Sequence, residues 1–291
     1  FTPMCHQCTV SLTYHKGFKR LICHYCAYQT MPPTTCPDCG GTHLAYMGVG
    51  TEQIEETVRS LFPDARIARL DRDTSQKKGA YGQILSAMAQ EEIDVLIGTQ
   101  MIAKGHDFPK VTLVGVISGD MSLHLPDFRS GERTFQLLAQ VAGRSGRGEQ
   151  PGEVIVQTFQ VENAAIQAAT AHDYMHFYKT EIGSRETGNY PPYCRLALLL
   201  IRHKKEELAA SSASVLAECI ERSLRGTGVK MLGPAPAPLL RIRQEYRYQI
   251  LLKGLTQQKI ALLLDVALKE WRKHSEKGVR MDIEIDPQQF V

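Results

Sequence analysis

The chain has 291 residues, enough for two or three domains at about 150 residues each. Charged residues make up 22% and hydrophobic residues 43%, which excludes disordered, collagen-like and coiled-coil classes and leaves apolar material for packed cores. The 34 Lys and Arg against 31 Asp and Glu give +3, a balance that permits a nucleic-acid partner without arguing for one.

Residues 1–46 hold six of the eight cysteines, several histidines and little periodic apolar pattern, so they cannot build a conventional core. Cys5-His-Gln-Cys8, Cys23-His-Tyr-Cys26 and Cys36-Pro-Asp-Cys39 are C-x2-C knuckles. A two-residue spacer lets both thiolates of a tight turn reach one Zn2+ at about 2.3 Å, and Gly40 suits such a turn. Zinc is the expected ligand. Disulfides are the bland alternative, disfavoured beside an α/β domain of intracellular type, and an iron–sulfur cluster is the smaller remaining one. Six thiolates complete one four-cysteine site and leave two over. A further knuckle upstream of Phe1 is the expected completion, with His24 or His43 as substitutes. The opening at Phe1, with a cysteine pair almost at once, reads as a piece of a longer chain.

Beyond Gly50 the pattern changes. Thr51 reads as the N-cap of a helix through Phe62, with Glu52 in its first turn and Pro63 stopping it. Strands are expected at Ile67–Leu70, Val95–Gly98, Val111–Ser118 and Gly152–Thr158, and helices at Gly82–Gln90, Arg133–Arg147 and Glu162–Ala171. This alternation predicts a parallel sheet with helices on both faces. Residues 183–192 read as a linker. Then come a strand at Arg195–Arg202, a helix at Glu206–Leu224, a short strand at Val229–Leu232, a strand at Tyr246–Lys253, a helix at Gln257–Lys273 and a strand at Met281–Asp286. That order, β-α-β-β-α-β, is the split arrangement of ferredoxin-like domains. The expected domains are thus 1–46, 47–182 and 183–291. No apolar run approaches the ~18 residues of a membrane span, and no export signal stands at the front.

Gln140-Val-Ala-Gly143-Arg144-Ser-Gly146-Arg147 is the most informative string. On the helix expected there, Arg144 and Arg147 leave from one face, as a pair of guanidinium groups meeting a γ-phosphate would. The bland reading pairs them with carboxylates such as Glu149 and leaves the two glycines unexplained. Upstream, Thr99 and Gln100 follow an expected strand, at the end where open α/β sheets bind ligands, and suit a nucleic-acid backbone. Gly105 and Asp107 of the same loop suit a nucleotide. In the last third, Tyr246 and Tyr248 share a strand face suited to stacking bases, with Arg243 and Arg247 beside them; a charged edge strand is the equal alternative. Cys194, Cys219 and Trp271 read as packing groups.

Together these strings resemble motifs V and VI of superfamily 2 helicases. With Gly48-Val-Gly50-Thr51-Glu52, Leu70-Asp71-Arg72-Asp73-Thr74, Asp127-Phe128-Arg129-Ser130-x-Glu132-Arg133 and the knuckles in front, the chain resembles the C-terminal part of primosomal replication-restart DNA helicases. Tyr246-Arg-Tyr-Gln-Ile250 fits more loosely. The resemblance implies lobe 2 of a RecA-like motor with a zinc-ribbon insertion. It implies an ATP- and Mg2+-dependent 3′-to-5′ DNA helicase of the cytoplasm and nucleoid that remodels stalled forks. The implied partners are forked and single-stranded DNA, single-stranded DNA-binding protein and helicase-loading proteins.

The same resemblance implies a catalytic role for Arg144 and Arg147 and nucleotide contacts by Gly105, Asp107, Gln140 and Gly143. It implies one zinc on Cys5, Cys8, Cys23 and Cys26, and places Cys36 and Cys39 in a second site shared with a preceding knuckle. No G-x-x-x-x-G-K-[ST] loop occurs in the 291 residues, so no ATP hydrolysis is expected of this chain alone. Two other classes compete. One is a zinc-ribbon DNA- or protein-binding module without catalysis, which has no need of the Gln140–Arg147 string. The other is an RNA helicase lobe, since these motifs do not report the sugar.

Overall fold

The structure, a computed structural model, describes residues 2–15, 19–42, 50–71, 74–76, 79–103, 108–143 and 152–290. The chain packs as two compact units, one of Phe1–Tyr46, Pro126–Phe128 and Gly183–Val291, the other of Met47–Leu125 and Arg129–Ile182. No described helix is long and apolar enough to cross a membrane.

In the first unit, β1 (Thr13–His15), β2 (Arg20–Ile22) and β3 (Gln29–Thr30) form a small antiparallel sheet in that order. Its buried core is Cys5, Cys8, Leu12, Leu21 and Cys23, with Val10, Tyr14, Tyr28 and Ile242 packed against it. Fixing each residue's backbone costs about 1–2 kcal/mol, and burying a leucine returns about 1.5–3 kcal/mol. Two leucines do not offset the ordering of some forty residues, so the thiols must do more than pack.

The second unit runs α1 (Thr51–Leu61), β4 (Ile67–Leu70), α2 (Ala80–Ala89), β5 (Val95–Gly98), α3 (Gln100–Ala103), β6 (Leu113–Val116), α4 (Ser130–Ala142), β7 (Glu153–Val156), α5 (Ala164–Thr170) and the start of α6 (Tyr174–Gly188). The strands β4 and β5 pair in parallel, as do β6 and β7, each pair crossing over through a helix; among the described residues they form two separate two-stranded sheets, not the one parallel sheet that the alternation predicts. Helix α4 buries Thr134, Phe135, Leu138 and Val141, an i, i+3, i+4, i+7 stripe. Alanines 165, 168 and 169 of α5 let the helices approach, and Phe135 stacks on Phe177 at 4.2 Å between centroids.

Gly98 ends β5 where no side chain fits. A Cβ there would lie 2.4 Å from the Leu70 carbonyl oxygen and 2.9 Å from Ile102 Cγ2. Gly98→Val is therefore expected to lower the stability of this unit by about 3 kcal/mol or more through overpacking against backbone. A denaturation midpoint equal to that of the parent chain would refute the close approach.

In the remainder of the first unit, β8 (Arg195–His203), α7 (Glu206–Leu224), β9 (Lys230–Ile242), β10 (Glu245–Gly254), α8 (Gln257–His274) and β11 (Arg280–Ile285) follow in the expected β-α-β-β-α-β order. All neighbours are antiparallel, in the order β11-β8-β10-β9. One sheet face meets both helices through Leu199, Ile201, Leu216, Ile220, Ile250, Leu252 and Ile260, all 0% exposed. Trp271 packs there and donates its indole N–H to the Ser212 carbonyl at 3.1 Å. Cys219 joins this core, and Cys194 is buried with Leu196, Leu198 and Phe290 on the other face.

Four expectations need correction. Thr51 is not the N-cap: Gly50 holds that position, and the Thr51 hydroxyl donates to Asp71 Oδ2 at 2.6 Å. Helix α4 runs from Ser130 to Ala142, not from Arg133 to Arg147: the Ser130 hydroxyl donates to the Leu125 carbonyl where the helix starts, and Gly143 caps its end, so the shared helix face expected for Arg144 and Arg147 falls outside the described residues. Residues 183–188 are not linker but the end of α6, which stops at Asn189 (φ +49) with Tyr190 N–H bonded to the Arg185 carbonyl at 2.8 Å. That αL closure satisfies the end of the helix, and an internal Gly183 costs only about 1 kcal/mol. Finally, β9 extends to Ile242 instead of ending at Leu232. Its prolines are tolerated because β9 is an edge strand with register shifts in its pairing to β10.

Candidate metal centre and nucleic-acid interface

The sulfurs of Cys5, Cys8, Cys23 and Cys26 all lie within 4.8 Å of one another, with Cys5 and Cys26 at 3.5 Å. Four thiolates each ~2.3 Å from one ion stand roughly 3.8 Å apart, so the set fits a tetrahedral zinc. Backbone hydrogen bonds shape the knuckles. In each, the first cysteine's N–H donates to the carbonyl five residues on: Cys5 to Val10, Cys23 to Tyr28 and Cys36 to Gly41, at 2.8–2.9 Å. In the second and third, the N–H four residues on returns to the cysteine carbonyl, Ala27 to Cys23 and Gly40 to Cys36. Both residues take positive φ, +60° and +70°, which explains Gly40.

Amides also reach sulfur, from Gln7 to Cys5 Sγ at 3.4 Å and from Arg243 to Cys8 Sγ at 3.3 Å. Burial pushes the thiols of Cys5, Cys8 and Cys26 up. Burial also pushes Cys23 up, but the amides of Cys26 and Tyr25, together with the neighbouring thiols of Cys26 and Cys5, outweigh it and bring that thiol down to about 7. Stabilised thiolate is the form a metal takes. The Cys36–Cys39 knuckle belongs to no larger group of metal-binding side chains among the described residues. His24 stands against His15, 5.1 Å between ring centroids, and outside the four-sulfur cluster; His43 lies outside the described residues.

In the second unit, Thr99 and Gln100 are exposed at the carboxyl end of β5, where α3 begins. Gln140 is exposed on α4, and Gly143 follows its last residue with its N–H on the Ala139 carbonyl. Gly105, Asp107, Arg144 and Arg147 lie outside the described residues. Sequence reading missed a charged knot beside these elements. Arg69 reaches Glu52 at 3.1 Å, Glu55 at 3.2 Å and Asp71 at 3.2 Å, while Asp71 exchanges hydrogen bonds with Thr74. Burial raises the Asp71 carboxyl, yet Thr51, Thr74 and Arg69 together hold it below the usual carboxylate range. The Asp-x-x-Thr spacing of residues 71–74 was the signal for this box.

The aromatic-basic string sits on and beside the hairpin of β9 and β10. The edge-strand alternative is overturned, since β10 lies between β8 and β9. The four side chains do not share one open face. Arg243 Nε donates to the Tyr25 carbonyl, and Arg241 covers the Tyr246 ring at 4.9 Å. Tyr248 packs on the helix-covered core and bonds Glu206 through its hydroxyl at 3.4 Å. Arg247 faces the opposite side beside a cavity of about 150 Å³ with Gln249, Asp282 and Glu284, and burial lowers its pKa.

Three family profiles match the chain: "PriA DNA helicase Cys-rich region (CRR) domain" over residues 5–30, "Helicase conserved C-terminal domain" over 46–149 and "Primosomal protein N C-terminal domain" over 186–288. Among curated relatives, the replication restart protein PriA of Bacillus subtilis is 44% identical over 99% of this chain and 36% of its own length. The Synechocystis PriA is 42% identical over 97% of this chain and 34% of its own, and the Haemophilus influenzae PriA 39% over 98% and 39%. The chain thus spans between a third and two fifths of the length of these three relatives.

Proposed function

We propose that this chain, which belongs to the PriA family of replication restart proteins, forms the zinc-bearing C-terminal part of an ATP-driven 3′-to-5′ DNA helicase acting at stalled forks. The observation that carries this reading is the coexistence of a four-sulfur centre with parallel β-α-β pairs, one of which ends at the exposed Thr99 and Gln100. A binding module alone has no use for the second feature.

In finer terms, residues 1–46 are the zinc module, 47–182 a RecA-like second lobe and 183–291 a ferredoxin-like domain. The β-α-β-β-α-β order and the strand order β11-β8-β10-β9 support the last. Cys5, Cys8, Cys23 and Cys26 hold one zinc, and Cys36 and Cys39 supply half of a second set. Thr99 and Gln100 contact the DNA backbone. Arg144 and Arg147, with Gly105, Asp107, Gln140 and Gly143, complete the ATP-Mg2+ site from the side opposite the P-loop, which this sequence lacks. Single-stranded DNA-binding protein and helicase-loading proteins are the partners, in the cytoplasm at the nucleoid. The Arg243–Tyr248 string contributes to DNA binding only through what the hairpin leaves open.

Fluorescence anisotropy with forked DNA, single-stranded DNA and RNA, measured from 50 to 200 mM salt, tests the nucleic-acid half. Forked DNA is expected to bind most tightly, with every affinity falling as salt rises because phosphate contacts release counterions. RNA bound as tightly as the fork would favour an RNA helicase lobe. The chain alone is expected to hydrolyse no ATP; DNA-stimulated turnover at the rate of a whole helicase would overturn the lobe assignment.

A further inference from the structure

The first knuckle differs from the other two at one position. In the second and third, the N–H four residues after the first cysteine returns to that cysteine's carbonyl. In the first, the corresponding Thr9 N–H is given to the carbonyl of Arg241, at the end of β9, at 2.8 Å. The Arg241 N–H comes back to Thr9 Oγ1 at 3.0 Å. Two residues on, the Arg243 N–H points at Cys8 Sγ, 3.3 Å away, and Gln244 N–H at the Gln7 carbonyl, 2.8 Å away. Ile242 between them packs on the knuckle core of Cys5, Cys8, Leu12, Leu21 and Cys23. Arg243 Nε closes the contact on the Tyr25 carbonyl at 3.1 Å.

The turn that makes these contacts is two residues long, with Arg243 at φ +50° and Gln244 at φ +66°. Two-residue hairpin turns of this conformation ordinarily carry Asn-Gly, because side chains elsewhere resist a left-handed backbone. Arginine and glutamine hold it here against that preference, and their N–H groups are both used on the cysteine module. Hydrogen bonds from amides to metal-bound sulfur stabilise the thiolate and fix its orientation, and loss of such outer partners typically costs 10- to 100-fold in metal affinity.

We propose that the β9–β10 turn is a built part of the metal centre: Arg243 is a positioning residue whose backbone N–H orients and stabilises the Cys8 thiolate, coupling metal loading to the C-terminal sheet. The pairing joins residues 235 positions apart, so metal retention depends on a region remote from every ligand in sequence. The inference rests on metal binding by Cys5, Cys8, Cys23 and Cys26.

Two measurements on the 291-residue chain test it. With 113Cd2+ in place of zinc, a proton–cadmium correlation is expected between the Arg243 amide and the metal through Cys8, since the hydrogen bond transmits scalar coupling. Release of zinc to a chelator is then compared in Arg243→Pro, which removes the N–H together with the left-handed turn that aims it, since proline fixes φ near about −65°, and in the double change Arg243→Asn with Gln244→Gly, which keeps the N–H in a turn of preferred conformation. The proline variant is expected to release zinc about 10- to 100-fold faster and the double variant within about twofold of the parent. Where the proline variant loses the sheet itself, the cadmium correlation alone decides. Bound metal with no coupling to the Arg243 amide, or equal release from a folded proline variant, overturns the positioning role and leaves the metal site standing. A parent chain that binds neither zinc nor cadmium overturns both.

Discussion

Chelation of the metal is expected to unfold residues 2–30 while the C-terminal sheet stays folded. The small sheet of β1–β3 buries only Cys5, Cys8, Leu12, Leu21 and Cys23 as its core, and three of those five groups belong to the four-sulfur cluster. Metal binding by four thiolates is worth roughly 10–16 kcal/mol in segments of this kind, more than any apolar burial on offer there. The sheet of β8–β11 instead rests on a core of fully buried leucines and isoleucines from strands and two helices, a cluster distinct from that of the four sulfurs. Amide hydrogen exchange before and after EDTA reads both regions at once. Protection at Leu12, Leu21 and Cys23 should vanish, and protection at Ile250 and Leu252 should persist. Cys23→Ser should reproduce the pattern without chelator, and zinc content should fall from about one per chain to nearly none. Unchanged protection in residues 2–30 would mean that the module folds on its apolar core and not on a metal.

The four-sulfur cluster was legible in the sequence because a C-x2-C knuckle is a local object whose spacing and turn lie within a few residues. The alternating strands and helices of the second unit were legible for the same reason, and the stripe of α4 is periodic within one element. What escaped reading is non-local. Nothing in Arg241-Ile-Arg243-Gln244 announces that its N–H groups meet a knuckle more than two hundred residues earlier, and the same string looked like a stacking platform because basic and aromatic residues alternate in it. The structure gives each of these side chains a neighbour: Tyr25 for Arg243, Arg241 for Tyr246, Glu206 for Tyr248. Prolines between residues 234 and 238 hid most of β9, because a strand with missing donors is permitted only at an edge and edge position is a property of the whole sheet. Glycines at 183 and 188 similarly read as a boundary, although Gly183 lies inside α6 and Gly188 ends it. The Arg69–Asp71 knot combines a local Asp-x-x-Thr box with Glu52 and Glu55 from α1, and only its local half was written in the spacing.

Replacing Arg147 or Arg144 by alanine in a full-length protein carrying this sequence should abolish DNA-stimulated ATP hydrolysis while leaving DNA affinity nearly unchanged. In sequence, Arg144 and Arg147 come two and five residues after Ala142, the last residue of α4, whose exposed Gln140 and capping Gly143 belong to the same string. During phosphoryl transfer, charge spreads over the equatorial oxygens of the γ-phosphate, and a guanidinium placed on them accelerates the step by about 10³–10⁵. That interaction strengthens in the transition state, so its loss lowers kcat far more than it raises KM for ATP. Lysine substitution separates charge from shape: it keeps the positive charge but not the paired N–H fork, and should restore only a small part of the rate. Thr99→Ala and Gln100→Ala provide the contrasting signature, with weaker DNA binding, a smaller salt slope and ATP hydrolysis recovered at saturating DNA. An alanine variant of either arginine with parental kcat would place these two residues on the solvated surface, paired with carboxylates such as Glu149, and would leave the glycines of the string without a role in nucleotide chemistry.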